Sequence, residues 1–127
     1  MNNDMYVITN NPLVNAAYAD RIDIVFSDGK YLDVLKLARN KVHEGHKLVT
    51  HPLMGSIKPN ETPYRSIIMA RGGTLDIQSL EIVESSIQVC EKFIKDNKPP
   101  EWSDTILKDF QFVDMRLFES ALQSITF

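Results

Sequence analysis

A single cysteine, Cys90, excludes an internal disulfide and leaves no sign of an oxidising compartment. Glycine is scarce, and none of the five glycines falls in a glycine-rich phosphate fingerprint or a P-loop. No apolar run approaches the roughly 18 residues that span a membrane. The start, MNNDMYVITNNP, has neither the basic stretch nor the apolar run of a signal peptide. The expectation is a soluble cytoplasmic protein with no membrane contact. A strong excess of one charge is also missing: the net charge is −3 and the sequence pI about 5.5, which speaks against a dedicated nucleic-acid binder. The histidines lack metal spacing. His43 and His46 flank Glu44 and Gly45, and a glycine there breaks the helical face that an HExxH zinc site needs. Neither a metal nor a cofactor is expected.

What is present suits one globular domain over residues 1–127. The hydrophobic content of 43% supports a core, and no low-complexity tract interrupts the chain. MYVIT (5–9), IDIVF (22–26), HKLVT (46–50) and YRSIIMA (64–70) read as short buried strands. Asn11 is positioned to cap a helix with Pro12 at its first position. Tyr31, Val34, Leu35, Ala38 and Val42 recur at helical spacing, and Gly45 suits the left-handed residue past that helix's end. Asp76 can cap a long helix over 77–96. Its main apolar stripe is Leu80, Val83, Ile87, Cys90 and Ile94, with Ile82, Val89 and Phe93 beside it. The second stripe needs cover, from the C-terminal segment or from a homodimer partner. Beyond NKPPEW, Ser103 can cap a short helix to Phe110, and Asp114 a second helix to Ile125.

This order predicts an α/β fold: a three-layer, Rossmann-like domain with a mostly parallel four-stranded sheet and C-terminal helices. Strand 1 is expected between strands 2 and 3, with strand 4 free to run either way. Ligands of such sheets sit beyond the strands' carboxyl ends, at the switch in strand order. There the chain places TNNP after strand 1 and the long loop THPLMGSIKPNETPYRS (50–66) after strand 3. Loops of that length in compact domains are often functional. The loop lies in the chain's basic block, Asp28 to Arg71, whose charges balance to +4. The candidate ligand-binding residues are Thr9, Asn10, Asn11, Thr50, His51, Ser56, Lys58, Asn60 and Arg65, with Thr62 nearby and Gly55 allowing close approach. They suit a small anionic metabolite carrying phosphate or carboxylate, which the N-terminus at Leu13 would also favour. The same residue types also make ordinary turns and caps. His51 lies at a strand end but has no orienting acid at a readable spacing. Cys90 falls on an apolar stripe, as an inert buried thiol would.

The segments ITNNP, YLDVL, GHKLVTHPLMGSIKPNETPYRSI and SLEIVESSI, in this order, resemble the GrdX family from about Tyr6 to Leu122, most specifically over residues 45–67. These are small proteins encoded with the glycine, sarcosine and betaine reductase genes of amino-acid-fermenting anaerobic bacteria. The resemblance implies context rather than residue roles. Such a reductase converts an amino acid to acetyl phosphate with selenocysteine and thiol chemistry. An accessory protein beside it would bind a phosphate-bearing metabolite, or help assemble or protect a reductase-complex subunit.

Overall fold

The computed structural model describes residues 4–53 and 58–126. The chain runs β1 (Met5–Thr9), α1 (Pro12–Tyr18), β2 (Ile24–Phe26), α2 (Tyr31–His43), β3 (Lys47–Leu48), β4 (Ser66–Ala70), α3 (Ile77–Asp96) and α4 (Asp104–Thr126). Among the described residues, no helix is long and apolar enough to cross a membrane.

Local chemistry explains most boundaries. The Asn11 side chain accepts from the Leu13 N–H at the start of α1, with Pro12 in the first turn. Asp76 does the same for Ser79 at the start of α3. Gly45 has φ +98°, and a Cβ there would lie 2.8 Å from the Gly73 backbone. Both the dihedral and the close approach require glycine just after α2. β3 is shorter than its apolar run. The Val49 and Thr50 N–H groups both reach Ile68 O, and the Thr50 hydroxyl, not a carbonyl, accepts from the Ile68 N–H.

The sheet order is β2-β1-β4-β3. β1 is parallel to β2, while β4 is antiparallel to both β1 and β3. The sheet is therefore mixed, which corrects the mostly parallel Rossmann-like sheet expected from the sequence. It also corrects the neighbours of β1, which are β2 and β4. A parallel return after β3 would need a helical crossover, and the prolines at 52, 59 and 63 deny one. An antiparallel return needs none. β4 thus enters the place where a switch between strands 1 and 3 was expected, and it pairs with β1 along all five residues.

Helices cover both faces. Tyr6, Ile8, Ile67 and Met69 pack against Val34, Leu35, Ala38 and Val42 of α2 and Val83, Ile87 and Cys90 of α3. Val7 and Ile68 point the other way, onto Val14 of α1 and Phe118 of α4. Alternation along both strands thus feeds two cores, as strands buried on both faces require. The two C-terminal helices expected from the sequence are one continuous α4. Nothing between Phe110 and Asp114 breaks a helix, and the Asp114 carboxylate bonds to β4 instead of capping. α4 packs on α1 and β4, on the face of the sheet opposite to α3. Val89 of the second stripe of α3 stays exposed, and Ile82 and Phe93 are half-buried.

Candidate functional site

Where β1 ends and β4 begins, a buried polar network joins α4 to the sheet. Asp114, within α4, accepts from the Ser66 N–H (3.1 Å), the Ser66 hydroxyl (2.8 Å) and Asn11 Nδ2 (3.0 Å). Asn11 Nδ2 also donates to Gln111 O. The Thr9 hydroxyl lies 2.7 Å from that of Ser66 and accepts from the Asn11 N–H. Arg65 is buried, with Nη1 4.0 Å from the Asp114 carboxylate. Its Nε donates to the Tyr31 hydroxyl, which donates to Pro52 O. Its guanidinium also lies 5.3 Å from the Tyr31 ring centroid. Buried charges are tolerated only when paired and hydrogen-bonded in this way.

Asn10 links this network to a cleft above it. Its Nδ2 donates to Gly29 O and Pro63 O, and its Oδ1 accepts from the Arg65 N–H. One side chain thus ties the exit of β1 to the turn before α2 and to the end of the long loop. These segments enclose a cleft of about 570 Å³, together with the first turn of α2 and the linker between α3 and α4. That volume is within the range of small-molecule sites. Tyr31, Leu32, Tyr64, Ile94, Trp102 and Leu107 give the lining an apolar character, with prolines from both loops. Lys30 and Lys98 lie among Asp28, Glu61 and Glu101. Trp102 Nε1 donates to Glu61 O, and Asn60 Nδ2 to Asn97 O, so the linker and the long loop are joined across the cleft. Asn60 is only 8% exposed, and its Oδ1 has no hydrogen-bond partner among the described residues.

The candidate residues fall into three groups. Asn10, Asn60 and Thr62 line the cleft. Thr9, Asn11, Thr50 and Arg65 hold the scaffold by the bonds given above. His51 and Lys58 are exposed. His51 Nδ1 accepts from the Leu53 N–H, and Lys58 Nζ lies 3.8 Å from the Glu61 carboxylate. Ser56 and Gly55 lie outside the described residues. Among the described residues, no three His, Cys, Asp or Glu side chains come together as metal ligands would. Burial pushes the Cys90 thiol up to about 11, so it is little ionised at neutral pH.

Sequence reasoning missed Tyr31, Lys98, Trp102 and Asp114. Tyr31 was read only as core. NKPPEW was read only as a linker. Asp114 did leave a signal: it stands four residues from both Phe110 and Phe118, on the inward stripe of an apolar helix, where an aspartate needs buried donors.

A family model described as GrdX-like protein matches residues 6–123. Neither a curated protein nor a solved structure matches the chain.

Proposed function

We propose, from the premise that this chain belongs to the GrdX-like protein family, that it is a non-catalytic accessory protein of the glycine, sarcosine and betaine reductase system. It binds a small anionic metabolite, bearing phosphate or carboxylate, in the cleft at the end of β1. The cleft itself carries this reading: about 570 Å³, with a floor fixed by Asn10 and with Lys30 and Lys98 in its lining. A site whose supporting groups are already bonded is preorganised, and preorganisation lowers the cost of binding.

Among the cations, Lys30 and Lys98 of the lining are the ones to meet the anion. Arg65 is committed to Tyr31 and Asp114 beneath. The first turn of α2 at Tyr31 and Leu32 lies at the positive end of a helix dipole that the Asp33 carboxylate already meets in part, by accepting from the Lys30 N–H. Thr9, Asn10, Asn11, Thr50 and Arg65 support the site, while Asn60 and Thr62 form part of its wall. His51 and Lys58 belong to the loop that borders it. A catalytic role for His51 has less in its favour, because its ring is exposed and its Nδ1 already accepts from a backbone N–H.

Isothermal titration with phosphate, acetyl phosphate and short carboxylates tests this reading. Saturable binding is expected, with a dissociation constant that rises about tenfold or more in Lys98→Glu, because the charge reversal replaces an attraction by a repulsion. No heat at millimolar ligand would remove the anion reading.

A second reading, an assembly or interaction factor for a reductase subunit, draws on α4. Phe112 is 54% exposed and Val113 55%, side by side on that helix. Co-purification from cells fermenting glycine would recover a reductase subunit with the wild-type chain and lose it with Phe112→Ser/Val113→Ser. Equal recovery with both chains would count against the α4 face.

A further inference from the structure

The aromatic side chains of the cleft have their polar ends bonded to the protein. Trp102 Nε1 donates to Glu61 O, and the Tyr64 hydroxyl accepts from Gln111 Nε2. The Tyr31 hydroxyl accepts from Arg65 Nε and donates to Pro52 O. Asn10 is committed through both its amide nitrogen and its oxygen, and the Thr62 hydroxyl donates to Lys58 O. Asn60 Oδ1 is sealed from solvent. Pro59, Pro63, Pro99 and Pro100 of the lining bring backbone that has no N–H to offer. Towards a ligand these walls therefore present mainly ring and aliphatic surface, from Tyr31, Tyr64, Trp102, Leu32, Ile94 and Leu107. Trp102 is also steadied by Phe110, with ring centroids 5.4 Å apart. A phosphate or acetate group alone would leave most of the cleft of about 570 Å³ as water against apolar walls.

We infer that the ligand of this cleft is an aromatic anion, an arene with a phosphate or carboxylate at one end. The ring lies among Tyr31, Tyr64 and Trp102, and the charged end meets Lys98 and Lys30. The cations and the rings come from the same segments: Lys30 precedes Tyr31, and Lys98 shares the α3–α4 linker with Trp102. This deepens the anion-binding reading above and rests on it. It narrows the ligand class by what the walls favour. A flat ring among other rings gains from apolar burial and from offset or edge-to-face packing. A polyol of equal size gives up its water and finds few partners, which costs affinity. Inorganic phosphate, acetate and sugar phosphates supply the charge but not the body.

Two matched series separate the levels of the proposal. Phenyl phosphate, myo-inositol 1-phosphate and methyl phosphate are all dianions at about pH 8, and they differ only in carrying an aromatic ring, a ring of hydroxyls or a single carbon. Benzoate against acetate repeats the comparison for a carboxylate. Titration of the full chain is expected to show the aromatic member of at least one series binding about tenfold or more tightly than its partners. In Trp102→Ala that ratio falls towards one, while Lys98→Glu weakens every member of the series. Equal affinities within both series overturn the aromatic inference and leave the anion site standing. Tighter binding of the inositol ester does the same, as does binding of acetyl phosphate with no binding of either arene. A ratio that survives in folded Trp102→Ala places the ring elsewhere and also overturns the inference. Binding of no anion at all overturns both levels. The wild-type comparison decides the matter even if Trp102→Ala fails to fold.

Discussion

Substituting Asp114 by alanine removes the common acceptor for the Ser66 N–H, the Ser66 hydroxyl and Asn11 Nδ2, and it takes away the carboxylate facing Arg65. Breaking a buried ion pair by deleting one partner costs about 3–5 kcal/mol. Urea unfolding of Asp114→Ala is expected to show a loss in that range, and a loss below about 1 kcal/mol would mean that the network contributes little. Two other buried groups set an alkaline limit. Burial raises the Cys90 thiol from 9.0 to about 11 and the Tyr6 phenol from 10.0 to about 12. The folded chain therefore keeps protons that the unfolded chain releases first, and stability falls with rising pH. It is complete below about pH 9 and declines up to about pH 12. Thermal melts across this window check it, and Cys90→Ala should flatten the portion between about pH 9 and 11. At this scale the sequence was readable wherever a residue acts on its immediate neighbours. Asn11, Pro12, Gly45 and Asp76 do what their types suggest. Asp114 was not read correctly because an aspartate ahead of an apolar run looks like a cap, and its partners lie 48 and 103 residues away.

Among elements, the junction of α2 and β3 is the most constrained. Gly45→Ala places a Cβ at positive φ and against the Gly73 backbone, where relief would require moving main chain. A loss of more than about 1 kcal/mol in urea unfolding is expected, and an unchanged midpoint would show that the turn relaxes freely. Helix α2 was legible because all five residues of its predicted stripe are buried, a purely local periodicity. The sheet was less legible. That prolines deny a helix after β3 can be read from the loop. That β4 then slots between β1 and β3 cannot, because the pairing of Met5–Thr9 with Ser66–Ala70 is a contact across more than 50 residues. The cleft inherits this uncertainty. Its place at the end of β1 follows from the strand-end rule, whereas the α3–α4 linker as one of its walls depends on where α4 packs.

For the molecule as a whole, the basic block identified in the sequence does not produce a cationic cavity. Arg65 is turned into the scaffold, Lys58 lies near Glu61, and the lining mixes Lys30 and Lys98 with three carboxylates. Electrostatic selection in such a site is local and favours a ligand that presents its charge at one end. Trp102 offers a direct view of it, since it is the chain's only tryptophan and lines the cleft. In a ¹⁵N-labelled sample its indole N–H gives a single cross-peak. Titrating acetyl phosphate while following that peak is the most direct measurement to make. Occupation of the cleft predicts a saturable shift of the Trp102 peak, with the same dissociation constant as calorimetry and a weaker one in Lys98→Glu. Calorimetric binding that leaves the Trp102 peak unmoved would place the ligand elsewhere on the protein and contradict the assignment of this cleft as the site.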